Sequence, residues 1–189
     1  MAILTSLEIE KMALEMGTAI MALSARTAPK TRGIDSVRTA VVTGKELEGL
    51  AKVMEAKFKE KSTELPGFKR DAGSIKESGA VLLIGVSRKP KRMELPLNCG
   101  ACGYKCCKDL LAAGEKPGED FTGPICIFQA IDLGIALGSA VKLASELNID
   151  NRIMYTIGAA AKKLNLLDSD LIMGIPLSAT GKNPYFDRP

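Results

Sequence analysis

IFQAIDLGIALGSAVKLASEL, residues 127–147, is the stretch on which the fold turns. Nearly every position is apolar or small, so it reads as a helix apolar on most sides, and such a helix belongs buried at the centre of a fold. Gly134 and Gly138 lie one turn apart and let another backbone come close, which reads as packing. A chain of 189 residues has limited means of covering such a helix on all sides, so a homodimer is expected.

Working outward, the run VLLIGV within Ala80–Val86 reads as a buried strand. Further upstream, apolar residues from Ser6 to Ala25 recur at helical spacing, with Ser6 as N-cap and Glu8 and Glu10 in the first turn. Pro29 and Gly33 break that helix. Val37–Thr43 reads as a strand, Lys45–Lys61 as an amphipathic helix, and Pro66, Gly67 and Gly73 as a loop. Downstream, Arg152–Ile157 reads as a strand, Gly158–Leu166 as a short helix and Asp170–Ile175 as a final strand. The order predicts an α+β fold over a single domain, 1–189, with a mixed sheet and a long buried central helix.

With 46% hydrophobic and 25% charged residues, the chain can build a packed core. No apolar run reaches the length of about 18 residues that spans a bilayer. The acidic N-terminus does not resemble a signal peptide, so a cytoplasmic protein without membrane contact is expected. There is no histidine, which excludes imidazole ligands, His-dependent triads and His acid–base chemistry. Net charge is only +4, with a basic cluster at Arg88, Lys89, Lys91 and Arg92 around Pro90. It reads either as a solvated turn or as a docking surface for an acidic redox partner or an anion. No aromatic residues interleave it, so no nucleic-acid partner is expected.

All five cysteines fall in one segment: Cys99, Cys102, Cys106 and Cys107, then Cys126. A reducing compartment weighs against disulfides. Four thiolates suit structural zinc or an iron–sulfur cluster. The glycines tip the choice toward a cluster. Gly100 and Gly103 follow Cys99 and Cys102 directly, and a loop wrapping a cluster must turn tightly and aim N–H groups at sulfur. Residues 96–126 hold few large apolar side chains, so metal–thiolate bonds are expected to hold this insert together.

Cys99-Gly-Ala-Cys102-Gly, then Cys107 and Cys126, resembles the four-cysteine iron–sulfur segment of electron-transfer subunits and corrinoid iron–sulfur proteins. The resemblance implies a [4Fe–4S] cluster on Cys99, Cys102, Cys107 and Cys126, with Cys106 a small buried residue or a spare ligand. Nearly the whole chain resembles a prokaryotic family known only for containing a ferredoxin domain. Arg26-Thr-Ala-Pro-Lys30, the cysteine segment, Asp132-Leu-Gly-Ile-Ala-Leu-Gly138 and Gly174-Ile-Pro176 carry that likeness.

The order of elements, with Ala28-Pro29 and the final Gly-x-Pro, also resembles flavin-binding nitroreductases. Those are dimers with flavin at the subunit interface. That likeness implies a nitroreductase-like fold and FMN, although their N-terminal Arg-x-Ser-x-Arg phosphate clamp is missing here. Arg26, Lys30, Arg32 and Arg188 are the candidate phosphate contacts.

The leading expectation is an iron–sulfur protein transferring single electrons, within an oxidoreductase in its fullest form. The alternatives are a nitroreductase-like flavin enzyme fed by the cluster, and a non-catalytic module with a structural metal site.

Overall fold

β2 (Ala80–Val86) is buried at all seven positions and lies inside a four-stranded sheet of order β1-β2-β6-β5. Its neighbours are β1 (Val37–Val42) and β6 (Leu171–Ser178), and β5 (Asp150–Asn151) closes the far edge. The computed structural model describes residues 3–61 and 66–186. The α+β class stands as expected, but the sheet is not mixed: all three pairings are antiparallel.

Alternate side chains of a strand point to opposite faces, and β2 uses both. Leu82, Ile84 and Val86 pack with α1 (Ser6–Thr27) and α5 (Ile127–Glu146). Val81 and Leu83 pack with α2 (Lys45–Lys61), α3 (Gly67–Lys76) and α6 (Tyr155–Lys163). Each fully buried Leu or Ile here contributes about 1.5–3 kcal/mol, so the strand fixes both layers.

Several local readings are corrected. The N-cap of α1 is Thr5, not Ser6. Its hydroxyl accepts from Glu8 N, while the Glu8 carboxylate accepts from Thr5 N at 2.7 Å. Residues 67–76 form α3 rather than a loop, because Phe68, Asp71, Ala72 and Ile75 recur at helical spacing and are buried. Tyr155–Ile157 begin α6 rather than ending a strand. Pairing with β6 stops at the Met154–Gly174 bridge, and Gly158 then lets the new helix lie on the β6 backbone.

The long helix α5 flanks the sheet instead of running through the centre. Gln129, Asp132, Leu133, Ala136, Leu137, Ala140 and Ala144 form its buried face. Ile131 and Ile135 remain 44% and 39% exposed, and Gly134 and Gly138 meet nothing within 4 Å. By length and composition α5 could cross a membrane. Here its inner face packs on β2 and carries a buried carboxylate, as in a core helix.

The cysteine-rich segment leaves the sheet after β2 and returns into α5. It contains α4 (Cys107–Ala112) and a hairpin of β3 (Lys116–Pro117) and β4 (Thr122–Gly123). The two halves are held differently. Lys57, buried on α2, pairs with Asp120 at 2.5 Å, and Tyr155 donates to the other Asp120 oxygen. Phe121 packs edge-on against Tyr155 at 5.5 Å. The hairpin is therefore latched to the core by side chains, contrary to the expectation that metal alone holds the insert. Cys99 to Lys105 lie at the surface.

Gly158 gives a sharp test of the packing. A Cβ there would stand 1.8 Å from the Ile172 carbonyl oxygen. Gly158→Ala should lose about 1–3 kcal/mol or more in urea denaturation. Gly49→Ala, where a Cβ meets nothing within 4 Å on α2, should gain up to about 1 kcal/mol.

Candidate metal centre

Cys126 is the fixed point of the site. It is buried, caps the N-terminus of α5, and donates its N–H to Arg88 O at 2.9 Å. Burial pushes its thiol up. The Phe128 and Gln129 N–H groups at the helix start pull the other way, and the Cys107 and Cys102 sulfurs nearby raise it further. Cys99, Cys107 and Cys126 line one small cavity.

The loop that presents the other thiols has the expected glycine turns. Gly100 and Gly103 sit at φ +75° and +86°, where a side chain is strained, and Gly103 N donates to Gly100 O at 2.9 Å. Asn98, also left-handed at φ +46°, accepts the Cys107 N–H at 2.9 Å and joins the two ends of the loop. Cys106 caps α4, and neither it nor Cys102 lines the cavity. Among the described residues, no three Cys, Asp or Glu side chains stand close enough to hold a single metal ion.

Thr31, Arg32, Pro90, Lys91 and Phe128 line the same cavity. Lys91 is 4% exposed, bonds Asp132 and donates to Ile34 O at 2.7 Å. Asp132 is fully buried and accepts from Thr31 N at 2.9 Å and Thr31 Oγ1 at 2.8 Å. Burial pushes its carboxyl up, but Lys91 and the two Thr31 donors more than offset this and hold it below the ordinary carboxylate range. Gln129 works alongside, donating to Lys89 O and accepting from Ser36 Oγ, both at 2.7 Å.

The basic turn is thus neither simply solvated nor wholly a docking face. Lys89 and Arg92 are exposed, whereas Arg88 is buried and the Lys91 side chain is 4% exposed. Arg88 reaches Glu115 at 3.3 Å, and its Nη1 has no partner among the described residues. Asp132 was not read as a site residue. Its signal is a single acid on the inward face of an apolar helix.

The candidate phosphate contacts are not gathered into one clamp. Arg26 and Lys30 both turn onto Asp35, while Arg32 donates to Leu95 O. Arg188 lies outside the described residues.

The donor set fits an anionic cluster: three cysteines and the cations Arg32 and Lys91 line one cavity at the N-terminus of α5.

Residues 122–188 match the profile of a family described as uncharacterised proteins containing a ferredoxin domain (DUF2148). Of the five cysteines, that span includes Cys126 alone. An uncharacterised protein of Archaeoglobus fulgidus is 52% identical over 169 residues, covering 89% of this chain and 88% of its own.

Among solved structures, a BluB-like flavoprotein from Clostridium difficile 630 superposes with a TM-score of 0.56 at 14% identity, over 93% of this chain and 84% of its own. An oxidoreductase containing FMN gives 0.55 at 12%, over 89% and 68%. A nitroreductase family protein from Clostridium novyi NT gives 0.53 at 14%, over 91% and 76%. These likenesses establish a nitroreductase-like fold.

Two outcomes are expected. Serine at Cys99, Cys102, Cys107 or Cys126 should each remove most bound iron and sulfide, whereas Cys106→Ser should retain it, as chemical analysis of anaerobic samples will show. If Cys107 proves dispensable and Cys106 essential, the ligand register is wrong.

The second outcome concerns pH. Asp132 has a depressed pKa in the folded state, so its contribution is full above the unfolded value near 3.9 and is lost as pH falls through the lower folded value. Urea titrations should show Asp132→Asn costing about 3–5 kcal/mol at pH near 7. The gap to wild type should narrow as the carboxylate of the latter becomes protonated.

Proposed function

The chain belongs to the family of proteins containing a ferredoxin domain, and on that premise we propose that it is a soluble, cytoplasmic redox protein with one [4Fe–4S] cluster on Cys99, Cys102, Cys107 and Cys126. The observation that carries this reading is the shared cavity. Cysteines from two separate segments, Cys99 and Cys107 from the loop and Cys126 from the start of α5, line it, while Cys102 and Cys106 lie outside its lining; Cys102 rather than Cys106 completes the set by the spacing of the four-cysteine segment. Bound there, the cluster supplies one-electron transfer. The single domain supplies the frame, and residues 96–126 form its cluster-binding insert.

The protein's own residues perform three tasks in this reading. Gly100 and Gly103 turn the loop so that thiols converge on one side. Cys126 stands at the N-terminus of α5, where a helix offers N–H groups and a favourable dipole to negative charge. The exposed Lys89, Arg92, Lys105 and Lys108 near the cysteines favour a redox partner with an acidic face.

A second reading, a flavin enzyme fed by the cluster, draws on the FMN of an oxidoreductase that shares the fold. Arg26, Lys30 and Arg32 must then give up their present bonds to Asp35 and Leu95 to meet a phosphate. Anaerobic purification separates the readings. Brown colour with equal iron and acid-labile sulfide supports the cluster, a yellow chromophore released by acid adds the flavin, and a colourless zinc protein means a structural metal.

The homodimer also belongs to this reading. Met12, Met16, Ile20 and Leu23 recur along the exposed face of α1, and α1 packs beside α5, where Ile131 and Ile135 are exposed. Gly134 and Gly138 beside those isoleucines leave room for a partner helix. Sedimentation at micromolar concentration should show a dimer, and Ile20→Glu with Ile135→Glu should give a folded monomer. A wild-type monomer at that concentration removes this part of the proposal.

A further inference from the structure

Of the cations beside the cysteines, Lys91 alone is both buried and in the cavity wall. Lys89 and Arg92 face solvent. Arg88 is buried but reaches toward Glu115 and does not line the cavity. Arg32 lines the cavity but is only half-buried, held by Leu95 O. Lys91 sits in the same wall with its side chain 4% exposed. Two of its three ammonium donors go to Asp132 and Ile34 O, and the third has no protein acceptor among the described residues.

We propose that Lys91 is a positioning residue that sets the reduction potential of the centre, a buried counter-charge held in place by Asp132. This rests on the reading that the four thiolates hold an iron–sulfur cluster. Reduction there adds one electron from an external one-electron donor, and no bond forms or breaks. The added negative charge appears in the cavity that Lys91 lines, and because the Lys91 side chain is 4% exposed its Coulombic interaction is stronger than in solution and less screened by salt. The Lys91 ammonium therefore favours the reduced state. Asp132 opposes it from behind, since it pairs with Lys91 but does not line the cavity. The three Asp132 bonds restrain the pair, so the charge stays at one place through the redox cycle.

The sign of the effect distinguishes this role from simple packing. In anaerobic potentiometric titrations of the full chain, with iron and sulfide counted on the same samples, Lys91→Met should shift the reduction equilibrium about tenfold toward the oxidised state. For one electron that is about 59 mV lower. Asp132→Asn should shift it in the opposite direction, and Arg32→Gln should lower it by less than Lys91→Met.

Lys91→Met combined with Asp132→Asn buries no unpaired charge and should lower the potential by less than Lys91→Met alone. That double variant decides the matter if Lys91→Met loses its cluster, and loss in both overturns the proposal in favour of a structural role. Iron-loaded Lys91→Met within twofold of wild type overturns it, as do shifts of the same sign for Lys91→Met and Asp132→Asn. A wild-type protein holding no iron and sulfide removes this proposal together with the cluster reading, whereas iron-loaded variants at unchanged potential remove this one alone.

Discussion

A strand with no polar side chain must be covered on both faces and bonded on both edges, and β2 imposes that requirement on everything around it. Its edges are closed by β1 and β6, so its backbone groups are paired without solvent. Its faces call for two helical layers. The chain supplies α1 with α5 on one side and α2, α3 and α6 on the other. Close approach of those layers depends on small residues: Gly174 faces Ile157, and Gly158 lies against the β6 backbone.

The candidate centre stands where this apolar frame ends. The first two turns of α5 carry Gln129 and Asp132 on the buried face, while the rest of that face is Leu and Ala. Both polar residues reach away from the helix to hold loops: Gln129 joins Ser36 to Lys89, and Asp132 joins Thr31 to Lys91. Burying such groups is costly unless every one is bonded, and here they are. The loops that wall the cysteine cavity are thereby attached to the same rigid helix that presents Cys126.

The strands and the long helices could be read from the chain because their apolar periodicity is strong. Lys45–Lys61 emerges with its expected ends. The failures have physical causes. Gly67 and Gly73 suggested a loop, but burial of Phe68 and Ile75 outweighs their entropy cost. Tyr155 and Ile157 favour strands locally, yet close packing on β6 makes them helical. The ring of cysteines was legible because spacing and glycine placement are local properties. The counter-charged wall was not, because Thr31, Lys91 and Asp132 come from three separate parts of the chain.

The bond from Cys126 N to Arg88 O brings the two ends of the cysteine-rich segment together at the end of the sheet. Between those residues the chain runs as a closed loop, tied to the core again through Lys91 and Asp120. Loop closure depends only weakly on length, at about 0.6 kcal/mol per doubling. A segment joined in this way behaves as a cassette. Residues can be added between its tethers at little cost to the sheet, whereas Lys91 and Asp120 must stay, because they pair with Asp132 and Lys57 of the core.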